Sequence, residues 1–279
     1  MNFIFLTEAI TDSVKMLPFL FGAYLLIEFL EHRSSEKMER ALQKSGKWGV
    51  LAGSLLSCVP QCGFSVFAAN LYAGRVITVG TLMAVFIATS DEAIPILLVN
   101  PGSFGTIMLL LGIKLLVALA AGWGLDLGLR SQNTASDRQE QMEHLCKDCG
   151  CHHGIVRSAL RHTIRIFLFI LLISIFLGAF IQWVGEDRLS QVLMSGSFLQ
   201  PLVTALVGFV PNCVASVVIT QFYITGGVSF GATVAGLITS AGVGMLVLFR
   251  VNRNWKQNIT LCLLLYLIGA LTGMIVQLF

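Results

Sequence analysis

The sequence predicts an all-α integral membrane protein built from two inverted repeats, each holding three spanning helices plus a proline-broken helical hairpin, eight to ten helical segments in all. Composition is the first reason. Hydrophobic residues make up 56% of the chain and charged residues 12%, with a mean hydropathy of +0.82, against roughly 25% charged in soluble domains. Lipid is the expected solvent. The second reason is an internal duplication. Residues 59–100 slide onto 210–251 without a gap, at a constant offset of 151, and Val59, Pro60, Cys62, Ser65, Val66, Tyr72, Gly80, Ala84, Ile87 and Leu97 meet identical residues. Third, a proline interrupts the same place in each copy, Val59-Pro60-Gln61-Cys62 and Val210-Pro211-Asn212-Cys213. Duplicated apolar halves with broken helices at their centre are the mark of a transporter.

The elements follow in order. Residues 16–29 form the first span, and no basic start with a small-residue cleavage site precedes it, so it is expected to stay as an anchor. A polar loop at 32–47 carries Arg33, Lys37, Arg40, Lys44 and Lys47. The stretch 48–73 is broken by Pro60, which donates no backbone hydrogen bond and clashes with the preceding turn, so it reads as two half-helices in a hairpin. Residues 76–100 are apolar but interrupted by Ser90-Asp91-Glu92, with Pro95 soon after. Residues 104–129 form an unbroken span holding Lys114. The second half repeats the pattern with 164–184, the Pro211 hairpin at 198–223, the interrupted segment 228–249 and a last span at 259–279. The organisation is a transmembrane repeat over 1–130, a cytoplasmic Cys/His-rich loop over 131–161 and an inverted transmembrane repeat over 162–279.

Basic residues orient the chain. If each hairpin enters and leaves on one face and the other three segments of each half cross, fifteen of the eighteen Lys and Arg fall on a single face. By the positive-inside rule that face is cytoplasmic, and both termini lie outside. Three crossings per half is an odd number, so the halves are inverted. Counting each hairpin as two full crossings gives ten spans instead, and charge does not separate the two versions. The basic residues sit in loops between apolar runs rather than on one folded face, so no nucleic-acid partner is expected.

A helix break inside hydrocarbon persists only where it lines a polar cavity or is buried in protein, so the breaks mark the expected substrate site. Pro60, Gln61, Cys62 and Ser65 supply backbone and side-chain groups from the first hairpin, and Pro211, Asn212, Cys213 and Ser216 from the second. Ser90, Asp91 and Glu92 add the one pair of adjacent carboxylates within a span, as cation ligands, proton carriers or both. A salt bridge to Lys114 is the structural alternative. The repeat partners of the two acids are Gly242 and Val243, so the site is asymmetric in charge. Cys58, Cys62 and Cys213 could surround a soft ion, although cysteine is also small enough to serve close packing.

Between the halves, His144, Cys146, Cys149, Cys151, His152 and His153 place three thiols and three imidazoles within ten residues. On a reducing cytoplasmic face this set points to metal rather than disulfides, with Zn, Cu, Ni or trivalent arsenic all suited to parts of it. A solvated linker with incidental affinity is the plainer reading.

The Val-Pro-Gln-Cys-Gly-Phe-Ser run at 59–65, Ala-Thr-Ser-Asp-Glu-Ala-Ile-Pro at 88–95, Phe-Val-Pro-Asn-Cys at 209–213 and the Cys/His-rich loop together resemble the bacterial family described as ten-transmembrane heavy-metal exporters. Members are labelled as arsenic efflux proteins or manganese transporters. The resemblance implies a metal or metalloid permease of the inner membrane, and its two labels leave the ion open.

The function expected is secondary-active export of a divalent cation such as manganese, or of an arsenic species, coupled to protons and driven by alternating access between the hairpins. No Gly-x-x-x-x-Gly-Lys-Ser/Thr loop offers nucleotide-driven pumping, and no His inside a span could serve a cysteine nucleophile, so an enzyme is not expected. A metal-permeable channel and a metal-sensing partner subunit are the alternatives. No cofactor is required beyond a metal ion as substrate or loop ligand. The partners are membrane lipid and that ion, and a homodimer is an assembly the sequence permits.

Overall fold

Without water to take up stray backbone groups, a chain in lipid must satisfy its own N–H and C=O groups, and helices are the local solution. The computed structural model describes residues 14, 17–18, 21–22, 25, 46–58, 63–74, 76–89, 93–99, 104–128, 160–161, 163–164, 167–168, 171–172, 175, 199–211, 213–252 and 254–278. Among these it is helical, with no strand. The first half contributes α1 (Gly46–Ser57), α2 (Gly63–Ala73), α3 (Val79–Ala88), α4 (Ala93–Val99) and α5 (Phe104–Gly128). The second contributes α6 (Gln200–Gly208), α7 (Cys213–Ile224), α8 (Phe230–Thr239), α9 (Val243–Val251) and α10 (Trp255–Gln277). The duplication read from residue identities is also a duplication of helix ends. Ser57 and Gly208, Ala73 and Ile224, Val79 and Phe230, Ala88 and Thr239, and Phe104 and Trp255 bound equivalent helices, and each pair is 151 residues apart.

Burial separates two classes of helix. Every residue of α3 is buried, as is α8 from Gly231 to Thr239; a helix apolar all round belongs inside. The long helices α5 and α10 are buried along one stripe only: Leu110, Lys114, Ala118 and Gly122 on one, Leu261, Leu265, Gly269 and Gly273 on the other. These stripes again match at the offset of 151. Their outer faces expose Met108, Leu116, Trp123 and Leu127, and Ile259, Leu263, Leu267, Leu271 and Ile275. The four-residue spacing on α10 keeps that apolar row on one face, the face a surrounding lipid would cover. Phe104–Gly128, Phe230–Val251 and Trp255–Gln277 are long and apolar enough to cross a membrane, and the middle one is enclosed almost throughout.

Helices in lipid gain little from hydrophobic burial and associate through close packing. The stripe glycines provide it. A Cβ on Gly231 would lie 2.5 Å from the Gly273 carbonyl oxygen, and one on Gly273 would lie 2.6 Å from the Gly231 carbonyl. Gly80 and Gly122 meet in the same way in the first half, and a Cβ on Gly80 would also press on the Asp126 carboxyl. Within each half the central helix therefore packs backbone to backbone on its long neighbour, α3 on α5 and α8 on α10. Across the halves, α2 packs on α9, α7 packs on α4, and α3 meets α8 at the centre. One hydrophobic cluster, from Val66, Phe86 and Ile87 to Leu237, Ile238 and Val247, runs through both halves.

The outer ends of the central helices are capped. Thr78 Oγ1 accepts from Thr81 N at 3.1 Å and Ser229 Oγ from Ala232 N at 3.2 Å, again 151 residues apart. Additional acceptors differ between halves. Asp126 Oδ1 accepts from Gly80 N at 2.9 Å and its Oδ2 from Thr78 Oγ1 at 2.8 Å. In the second half Gln277 holds the register of Asp126, and Gln200 Oε1 accepts from Ser229 N at 3.1 Å instead.

Substituting leucine at Gly231 is expected to destabilise the protein by about 1–3 kcal/mol or prevent its accumulation. Gly112, where an added Cβ would meet nothing within 4 Å, should accept leucine without loss. Thermal unfolding in detergent of the two variants beside the parent checks the contrast.

Candidate functional site

The breaks after α3 and α8 lie deep in this packing, where Thr89, Ser240 and Ala241 are buried. In the second half, Ser240 N still reaches Gly236 O, but Ala241 N turns back to Thr239 O at 2.8 Å. Gly242 follows at φ 55°, ψ −144°, a backbone region that glycine enters without a Cβ penalty, and α9 starts at Val243. In the first half, α3 ends at Ala88, Thr89 takes extended geometry, and α4 starts at Ala93. Pro95 falls in the first turn of α4, where a missing N–H costs no intrahelical bond. The hairpins break as well. After α6, Phe209 N bonds Leu206 O at 3.2 Å and Val210 N bonds Val207 O at 3.0 Å, a tightened last turn before Pro211.

Lys114 is the group that reaches into these breaks. It is fully buried on the inner stripe of α5, and its ammonium donates to the Thr89 carbonyl and to the Leu237 carbonyl, the latter at 2.9 Å. Both acceptors are products of helix termination. Thr89 is the C-cap of α3, and Leu237 O lies one turn before Ala241, whose N–H has turned to Thr239. Two helix C-termini, each the negative end of a macrodipole, thus converge on one buried cation. The arrangement answers the cost of burying an ammonium, which is several kcal/mol when left without acceptors. Just after α1, the Cys58 Sγ donates to Ser54 O at 3.3 Å.

Several of the sequence-derived site residues have described surroundings. Ser65 is buried in α2 against α9: a Cβ on Gly244 would lie 2.6 Å from Ser65 Cβ. Ser216, buried in α7, shares a hydrogen bond of 2.8 Å between its Oγ and that of Ser240, within the break. Pro211 is partly buried in the bend between α6 and α7, and Cys213 opens α7. The two serines therefore stand at the breaks, although Ser65 touches the opposite half and Ser216 its own. Pro60, Gln61, Cys62, Ser90, Asp91, Glu92 and Asn212 lie outside the described residues, as do His144, Cys146, Cys149, Cys151, His152 and His153. Among the described residues no three His, Cys, Asp or Glu converge on one point.

The sequence alone offers Lys114 only as a partner for the acids and does not single out Thr89, Ser240 or the Leu237 carbonyl. One signal is present in it: Leu110, Lys114, Ala118 and Gly122 are spaced by four, which sets the lysine on the small-residue face.

Comparison with known proteins fits this architecture. No curated protein and no solved structure matches the chain. One family does match, in two segments, residues 6–187 and 173–279, which together take in nearly the whole sequence. The chain belongs to the family described as "Putative, 10TM heavy-metal exporter".

Proposed function

We propose that this protein is a secondary-active transporter that exports a heavy-metal or metalloid ion, with its substrate site between the two sets of helix breaks. The observation that supports this most directly is the pair of buried breaks at equivalent positions, after Ala88 and after Thr239, in two halves that interlock through α2 with α9 and α7 with α4. Interrupted backbone at depth is tolerated where it serves a site, and broken helices of duplicated halves are where transporters hold ions. In this reading Ser90, Asp91 and Glu92 follow directly on Thr89, at the end of α3, and provide hard oxygen ligands. Pro60, Gln61, Cys62 and Ser65 face Pro211, Asn212, Cys213 and Ser216 as the two hairpin walls. One half rocks against the other to open the site to each face in turn, and protons move in exchange through Asp91 or Glu92. The halves are inverted, the basic loops are cytoplasmic, and both termini are outside. The loop holding His144, Cys146, Cys149, Cys151, His152 and His153 gathers the metal on the cytoplasmic side.

Proteoliposomes loaded with manganese, zinc or arsenite test the core. Asp91→Asn combined with Glu92→Gln should reduce divalent-cation flux to the level of empty vesicles, while reconstituted protein matches the parent. Flux of arsenite alone, lost on Cys62→Ser with Cys213→Ser and untouched by the acid variant, would transfer the ligand role to the thiols.

Replacing Cys146, Cys149 and Cys151 by serine should lower the zinc bound per chain in equilibrium dialysis. Flux at saturating ion should persist in that variant, because the loop gathers the ion and the core moves it. Unchanged zinc binding would remove the loop from the mechanism.

A further inference from the structure

We propose that the C-terminal ends of α3 and α8 form a binding site for a small hard cation, which the Lys114 ammonium occupies in this conformation as a tethered and displaceable occupant. The ligands are backbone oxygens, Thr89 O from the first half and Leu237 O from the second. Helix C-terminal carbonyls released by a break favour cations through both the free lone pairs and the macrodipole. Carbonyl oxygens are hard donors and favour hard cations.

Packing alone does not call for an ammonium here. At the same register of the second half the inner stripe carries Leu265, fully buried, so a leucine satisfies this position between a long helix and its central partner. Lysine in the first half adds a charge that must be desolvated and a side chain whose freedom is lost. The carbonyl pair offsets part of those costs. The two oxygens belong to different halves, so a shift of one half against the other changes their separation. The ammonium fits the site in one arrangement of the halves and yields it in another. Displacement as a step in a transport cycle rests on the function proposed above. The existence of the site does not, and binding to it can be read without transport.

Lys114→Ala removes three carbons and the nitrogen, the size of propylammonium, and leaves the methyl stub. In detergent, the purified variant should be less stable than the parent and should regain stability with propylammonium chloride. The gain should grow with the logarithm of concentration and reach roughly 3–6 °C at a tenfold excess over the dissociation constant. Sodium or potassium chloride should act in the same direction. Choline chloride and 1-propanol, the first too large and the second uncharged, should not, and the parent, where the tethered ammonium competes for the site, should gain less than the variant from the same cations. Equal rescue by 1-propanol would mean that only a void is being filled, and no rescue by any cation would mean that no site exists; either result overturns the proposal. Lys114→Leu, which copies the second half, repeats the test with the alkali cations should the alanine variant not stay monodisperse. The parent supplies an independent measurement. Acylation of Lys114 by a membrane-permeant amine reagent, read by peptide mass spectrometry, should rise in manganese or sodium chloride above the choline control. Equal labelling in all three salts would show that no cation displaces the ammonium.

Discussion

Ending a helix in the middle of a membrane leaves carbonyls with no solvent to turn to, and much of this structure is arranged around that constraint. α3 and α8 both stop at depth, enclosed on every side. The carbonyls they release are met by a side chain, Lys114, from a helix that otherwise faces outward. Such a lysine is costly in an apolar core, and so are free carbonyls; each lowers the cost of the other. Ser240 and Ser216 meet a smaller part of the same demand with a hydrogen bond between their hydroxyls.

The duplication sets which features are structural necessities. Close glycine pairs, Gly80 with Gly122 and Gly231 with Gly273, occur in both halves, as do the Thr78 and Ser229 caps. They are what any such half needs for a short central helix to lie flat against a long one. Departures from the repeat carry the polarity of the site. Lys114 opposes Leu265, Asp126 opposes Gln277, and Asp91 with Glu92 oppose Gly242 with Val243. All the charge in these pairs belongs to the first half. The second half breaks its helix with a glycine at φ 55°, a neutral device, where the first has a serine and two acids following Thr89.

Legibility from sequence follows the range of each interaction. Spans and hairpins are readable because apolar length and proline act locally, and the repeat is readable because Pro60 and Pro211 come with neighbours in register. The second break is harder to see. Ser240-Ala241-Gly242 has no proline and no charge, and only its alignment with Ser90 and Asp91 places it. The role of Lys114 is not readable, because its acceptors are main-chain oxygens and a carbonyl has no residue identity. Asp126 escapes notice for a related reason: it serves the N-terminus of a helix 46 residues earlier, and distance in the chain hides such a partner.

The interlocked halves also limit how the protein can move. Two separate bundles could swing apart at an open seam, but here α2 lies on α9 and α7 on α4, so each half holds an arm of the other. At the first of these contacts Ser65 and Gly244 approach until a single added carbon would collide. Packed surfaces of this kind resist gradual deformation and exchange one close fit for another. In the transport cycle proposed above, rocking of half on half would be a slide along these two paired surfaces, with the glycine at 244 providing the clearance. The breaks lie beside the sliding contacts, since Gly244 stands two residues after Gly242 and Ser216 is bonded to Ser240. In that cycle, a slide that alters the contacts would also alter the distance between Thr89 O and Leu237 O, and the tenure of the Lys114 ammonium between them. On this proposal, ion occupancy and the arrangement of the halves are joined by one set of backbone oxygens.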